Sequence, residues 1–330
     1  MSELYPFLLL PEFHERVWGS RDLSLIYPHK TARQGGEFDK PIGEAWLTGD
    51  ACRVASGPLS GQTLGDVTKK FGCELLGEAC KNHSRFPLLL KFLFPKEKLS
   101  VQVHPDDDGA RAIGQPCGKT ECWYVLAAEP GAQVALGLKP GVTHAQVEAA
   151  INDVQLEPLM NWLNVNPGEM VYAEAGTIHA IGPGSILLET QQNSDTTYRL
   201  YDYGRGRELH IQQGLAATKE KTHAGKVQRV PSANGTQTLV SSPCFVVEKS
   251  VVREPKEFSS QGKSVQVLVA LDGCGVIEVD GGKPVTLAKG ECAVVPAGFK
   301  NFRVRPQWAL ELYCAKLPDE KTTHPVTSMS

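Results

Sequence analysis

The chain has 330 residues, of which 41% are hydrophobic and 22% charged, and its formal net charge is -3. These values fit a soluble globular protein with one large domain or two ordinary ones. They give no basic footprint for nucleic acid or an anionic membrane surface, and no apolar run approaches the roughly 20 residues needed to span a bilayer.

The N-terminal stretch lacks a basic leader, and its short apolar run is flanked by proline, so it reads as mature protein. Nine cysteines are scattered without a C-x-x-C pair. They are expected to be small buried hydrophobes in a reducing compartment, the cytoplasm, without a disulfide framework.

In chain order, Glu44–Thr48 and Cys52–Ala55 read as strands, with a loop at Arg33–Gly36 before them. A helical pattern runs from Thr63 to Ala79. Thr63 is its N-cap, Asp66 lies three residues on, and Leu64, Val67, Phe71 and Leu75 fall at helical spacing. Phe86–Leu93 is nearly all apolar, as in a strand buried on both faces. Lys91 in its middle is costly to bury unless it meets a negative charge; otherwise it sits at an edge and reaches water.

In Leu99–Asp107, alternation puts Ser100, Gln102 and His104 on one face and Leu99, Val101 and Val103 on the other. That polar row suits the inner wall of a wet barrel. Gly118–Leu126 is a further strand, with Lys119, Glu121 and Trp123 sharing a face. A helical insertion is expected from Thr143 to Leu163. Val147, Ile151 and Val154 are at helical spacing, and Pro158 is expected to start a second helix with Leu159, Trp162 and Leu163.

Val165–Gly184 carries two turns around a short strand, then His179. A strand fixes the backbone direction of that histidine, which suits a metal ligand; a barrel histidine with ordinary hydrogen bonds fits the hairpin equally. Ser185–Arg205 reads as a strand, a polar loop and another strand. Residues 216–238 look like a linker. From about Leu239 strands alternate with turns again.

The segment Leu287–Val304 aligns without gaps on Val165–Gly182. Gly168 meets Gly290, Glu169 meets Glu291, Ala175-Gly176 meets Ala297-Gly298, and His179 falls on Asn301. This suggests two copies of one unit, with functional residues in the first alone. The expected organisation is a metal-binding unit over 1–215, a linker over 216–238 and a structural unit without metal ligands over 239–330.

The motifs W-G at Trp18-Gly19, V-Q-V-H-P, G-K-T-E-C-W-Y, A-G-T-I-H-A-I-G and E-T-Q-Q-N-S-D-T-T-Y-R-L-Y-D-Y occur in one order. In them the chain resembles the type I phosphomannose isomerases of the cupin superfamily, in their short bacterial form. The resemblance implies a mainly β fold of two cupin-type (jelly-roll) barrels, with a helical insertion in or beside the first. It implies one Zn2+ per chain held by Gln102, His104, Glu121 and His179. The implied reaction interconverts mannose 6-phosphate and fructose 6-phosphate by proton transfer through a cis-enediol. Arg199 matches the active-site arginine, Glu189, Asp195 and Lys119 are candidates for proton transfer, and Ser100, Lys91 and Arg205 match the phosphate site. The implied partner is a small sugar phosphate, with no nucleic acid or membrane, and the protein a monomer or homodimer. The alternatives are a sugar-phosphate-binding cupin without catalysis, which could dispense with metal ligands or Arg199, and a metal-dependent cupin oxygenase. The latter usually has two close histidines where this chain has Gln102 and His104.

Overall fold

The computed structural model describes residues 4–28, 37–80, 83–152, 155–228, 235–318 and 328–329. The loop expected at Arg33–Gly36 and the helical position Val154 lie outside these residues. The fold is mainly β, as expected, and its strands form three antiparallel sheets.

An eight-stranded sheet runs in the order Glu12–Asp22, Glu37–Trp46, Leu88–Leu93, Ser185–Gln192, Glu121–Ala128, Met170–Ala173, Gly225–Val227 and Ser328–Met329. A five-stranded sheet runs Tyr198–Tyr201, Val101–Val103, His179–Ile181, Gln133–Leu138 and Met160–Asn164. The nine-stranded sheet is built on the long strands Gln266–Glu278 and Asn301–Lys316. Each sheet runs from one edge strand to another, so among the described residues none closes into a barrel.

Strand Leu88–Leu93 shows why the sequence folds this way. All six residues are buried, because both faces of the strand are covered. Leu88, Leu90 and Phe92 join Leu188, Tyr124 and Tyr172 in an apolar layer against Val267, Val269, Val294 and Tyr313 of the nine-stranded sheet. Leu93 packs on the opposite face with Trp18, Trp123, Val125, Leu136 and Ile181, between the eight- and five-stranded sheets. Each such fully buried side chain contributes roughly 1.5–3 kcal/mol. Lys91 shares this second face, where the catalytic candidates lie.

The helix expected from Thr63 is present as Leu64–Phe71, and Thr63 Oγ1 accepts from the Asp66 amide at 3.1 Å. A second short helix, Cys73–Leu76, and a 3-10 turn, Glu78–Cys80, continue it. The helix His144–Asn152 also forms and packs with Ile211–Ala217 over the outer face of the five-stranded sheet, burying Val147 and Ile151.

Pro158 does not start a second helix. It lies in a 3-10 turn, Glu157–Leu159, and Met160–Asn164 is a strand with Leu163 opposite Val134 and Trp162 opposite Ala135. Pairing with a distant edge overrides the local apolar spacing. No helix among the described residues is long and apolar enough to cross a membrane. All nine cysteines are free.

The two aligned hairpins share geometry. Gly168 and Gly290 both have positive φ, 83° and 79°. Glu169 accepts from the Asn166 amide and Glu291 from the Ala288 amide, each at 2.9 Å. The following turns close alike, with Thr177 N donating to Glu174 O and Phe299 N to Pro296 O. Position 179 then points inward and is buried, whereas Asn301 is exposed.

Candidate active site

A cavity of ≈470 Å³ opens between the eight- and five-stranded sheets. Each sheet supplies one wall. On the five-stranded wall the register places Gln102 opposite His179 on one side and opposite Arg199 on the other. Alternation along Val101–Val103 turns Val101 into the apolar layer under the helices and leaves Gln102 facing the cavity. His104 follows this strand and is buried.

The eight-stranded wall supplies Glu121, the first residue of its strand, and Lys119 just before it. His179 Nε2 lies 3.1 Å from Glu121 Oε1, and His104 Nε2 lies 3.5 Å from Glu121 Oε2. Gln102 Nε2 is 3.2 Å from His179 Nε2. The donor atoms of His104, Glu121 and His179 all fall within 4.8 Å of one another, and all three residues are buried.

These residues fit a metal ion. His104 Nδ1 is 2.9 Å from the Thr196 carbonyl, and His179 Nδ1 is 2.9 Å from the Thr177 carbonyl. A carbonyl only accepts, so each Nδ1 carries a proton, and each Nε2 is the ring atom left to face a bound ion beside Glu121. Burial, reinforced by the Lys119 charge, holds the His104 pKa well below the ordinary histidine value, so the ring is neutral. Burial alone would raise the Glu121 pKa, but Lys119 and the two histidines outweigh it and keep the carboxylate ionised. Rotation of the Gln102 amide would offer a fourth, neutral oxygen donor.

Charged residues alternate along the eight-stranded wall. Arg16 Nε lies 2.8 Å from Glu44 Oε1, and Lys91 Nζ lies 3.4 Å from Glu44 Oε2 and 3.3 Å from Glu189 Oε1. Lys119 Nζ lies 3.9 Å from Glu189 Oε1 and 2.7 Å from Glu121 Oε2. Five adjacent strands, with Lys119 just before the last of them, thus present cation, anion, cation, anion, cation and anion in turn. The buried Lys91 has two carboxylate partners, which is the condition its sequence position demanded. Burial lowers its pKa, but Glu189 and Glu44 outweigh that and hold the proton on. Burial, the largest influence on Glu189, raises the proton affinity of that carboxylate.

Ser100, Lys91, Gln102, Lys119, Glu121, Glu189, Asp195 and Arg199 all line the cavity. Arg205 does not line it. Its guanidinium donates to the Asp202 and Lys98 carbonyls and to the Asp202 carboxylate. Arg16, Glu44, Thr197 and Arg207 also line the cavity, and sequence reasoning did not single them out. Glu44 had a signal: an acidic residue inside the apolar strand G-E-A-W-L is the same oddity as Lys91, with opposite charge.

In a mainly β fold, a buried His–Glu–His cluster that could hold a metal ion lies at one end of a charged cavity, the arrangement of a candidate metal-dependent active site. Residues 7–136 match the family model described as phosphomannose isomerase type I, catalytic domain. The chain is 33% identical over 315 residues to a probable mannose-6-phosphate isomerase of Bacillus subtilis, covering 91% of this chain and 96% of that protein. It is 33% identical to the mannose-6-phosphate isomerase of Streptococcus mutans over 313 residues, 90% and 94% of the two chains. The crystal structure of the Bacillus subtilis mannose 6-phosphate isomerase superposes with a TM-score of 0.82 at 30% identity, covering 94% of this chain and 99% of that one. The chain belongs to the type I phosphomannose isomerase family, whose members are aldose–ketose isomerases.

Proposed function

We propose that the chain interconverts mannose 6-phosphate and fructose 6-phosphate with one Zn2+ held by Gln102, His104, Glu121 and His179. The observation that carries this reading is the His104–Glu121–His179 cluster, with both imidazoles oriented by carbonyls, at the end of a cavity lined by cations. Nitrogen and carboxylate donors in a buried cluster suit zinc. The bound ion supplies Lewis acidity toward the sugar oxygens at carbons 1 and 2.

The reaction moves a proton from carbon 2 to carbon 1 and the hydroxyl proton from oxygen 2 to oxygen 1 through a cis-enediol, so no external reductant or oxidant is needed. Arg199 holds negative charge on the enediolate without giving up its own proton. Glu189, Asp195 and Lys119 are the proton-transfer candidates. Glu189 combines a buried carboxylate with raised proton affinity and two ammonium neighbours, whereas Asp195 is exposed at the cavity. Ser100 and Lys91 meet the phosphate or the sugar hydroxyls nearest it. Arg205 acts on this site indirectly, by fixing the turn through Asp202 and the Lys98 carbonyl.

The domain division we propose is a catalytic unit over 1–215, a linker over 216–238 and a structural unit over 239–330. Both units are of cupin type, although their sheets do not close into barrels among the described residues. Phe7–Leu10 of the first unit pairs with Cys292–Val295 of the second, and the linker strand Gly225–Val227 adds to the catalytic sheet. One chain builds the whole cavity, so a monomer or a homodimer can act. Nine free cysteines support a reducing compartment, the cytoplasm.

The test is a coupled assay with mannose 6-phosphate supplied and fructose 6-phosphate measured, with and without chelator, alongside metal content. Metal-loaded protein that fails to form fructose 6-phosphate defeats the proposal.

A further inference from the structure

We propose that Arg207 is a specificity residue that grips the phosphate of the substrate through a guanidinium clamped by Asp202. This rests on the proposed isomerase reading and adds a residue that the motif resemblance does not assign.

Arg207 lines the cavity, and its side chain is 31% exposed. Its Nε donates to Asp202 Oδ2 at 2.8 Å and its Nη2 to Asp202 Oδ1 at 2.5 Å. This two-point contact fixes the plane of the guanidinium. Only Nε and Nη2 are spent, so the Nη1 donors remain for a ligand.

Asp202 is itself buried and is held from the other side by Arg205 Nη2 at 2.9 Å. The clamp is therefore rigid before substrate arrives, which lowers the ordering cost of binding. The neighbouring cavity residue Arg199 gives Nη1 to the Glu208 carbonyl at 2.8 Å, while its buried Nε has no hydrogen-bond partner.

Burial, and after it the Arg207 charge, disfavour the charged form of Arg199. Asp202 is the buried carboxylate that offsets this, and Glu208 is exposed. Arg199 serves the enediolate, which leaves the uncommitted Nη1 donors of Arg207 for a second anion. A phosphate fits, because its oxygens accept from them. Asp195 lines the same cavity and repels a phosphate, so a fixed cation is needed to hold one there. Lys91 alone does not suffice, because two carboxylates already share its ammonium.

The test compares R207A and R207K with the unaltered protein, each loaded with zinc. The readouts are kcat and KM for mannose 6-phosphate, competitive inhibition by inorganic phosphate, metal content and melting temperature. R207A is expected to raise KM and the phosphate inhibition constant roughly ten- to a hundred-fold, the range of one charge-assisted bond. Its kcat should stay within about threefold and its metal content at one per chain. R207K keeps the charge without the fork and is expected to fall between the two. Should R207A not fold, R207K alone decides: unchanged KM and unchanged phosphate inhibition overturn the assignment. So does an R207A variant that loses kcat with KM unaltered. If the unaltered protein fails to turn over mannose 6-phosphate, the isomerase reading falls. Calorimetric titration with inorganic phosphate then still tests Arg207, and equal binding by protein and R207A removes the anion site as well.

Discussion

Lys91 Nζ lies 3.4 Å from Glu44 Oε2, on neighbouring strands of one sheet, with both side chains buried. Glu44 also accepts from Arg16 Nε at 2.8 Å and from Trp46 Nε1 at 2.6 Å. Burial alone would raise its pKa, but Lys91, Arg16 and the Trp46 hydrogen bond outweigh it and pull it from 4.5 to about 2. A depressed carboxylate pKa stabilises the fold above the unfolded value and loses that contribution as pH falls through the folded value. The stability from Glu44 is therefore present above about pH 4.5 and lost toward about pH 2.

Glu44→Gln should lower unfolding free energy at neutral pH by roughly 3 kcal/mol, the low end for breaking a buried pair, because Glu189 remains beside Lys91. The gap between variant and unaltered protein should narrow as pH drops from about 4.5 to about 2. Urea denaturation at a series of pH values reads both effects. A gap that stays constant across that window would show that Glu44 does not titrate as its neighbours dictate.

His179→Ala and Glu121→Ala should each lose bound metal and activity together while the fold survives. The apolar layers on either side of the site do not contain these residues. Metal analysis and circular dichroism on purified variants check this. Full metal occupancy in both variants contradicts the ligand set.

Arg199→Ala should lower turnover by roughly a hundred- to a thousand-fold, the effect of removing one donor to a developing oxyanion. Its place opposite Gln102 puts it beside the metal donors without making it one, so metal content should not change. A normal kcat with a raised KM would make Arg199 a binding residue instead.

The site was legible wherever local alternation carries it. Ser100, Gln102 and His104 share a face because a strand has period two, and the same rule joins Lys119 to Glu121. Arg16 was not legible, and Glu44 was legible only as an acidic residue in an apolar strand, without its partners. Arg16 meets Glu44, and Glu44 meets Lys91, only across strands far apart in the chain, and no local pattern records that register. Arg205 and Arg207 show the same limit within one turn. Both sit in Tyr203–Arg207, where positive φ at Tyr203, Gly204 and Gly206 breaks simple alternation and sends Arg207, not Arg205, to the cavity. The strand Met160–Asn164 escapes sequence reasoning for a related reason: Trp162 and Leu163 fit a helix locally, and a partner strand decides otherwise.

The region after Ala216 should be required for folding and not for metal binding. Asn301 occupies the place of His179 in the second hairpin, yet it is exposed and no His–Glu–His cluster surrounds it among the described residues. Asn301→Ala should therefore keep one metal per chain and near-normal activity. The nine-stranded sheet, by contrast, covers Phe92, Tyr124, Tyr172 and Leu188 of the catalytic sheet with Val267, Val269, Val294 and Tyr313. Tyr313 Oη also meets Thr190 Oγ1 at 2.8 Å within that layer. The helical segment after Thr63 is tied to the same region, with Val265 N donating to Leu76 O and Ala297 N to Leu75 O. Ending the chain at Ala216 strips this cover and leaves Phe7–Leu10 without Cys292–Val295. An apolar sheet face of that extent, once exposed, aggregates. The truncated protein should be insoluble on expression, as a pellet assay would show. A soluble, active fragment of residues 1–216 would overturn the structural role of the second unit, and loss of a second metal from Asn301→Ala would overturn its metal-free reading.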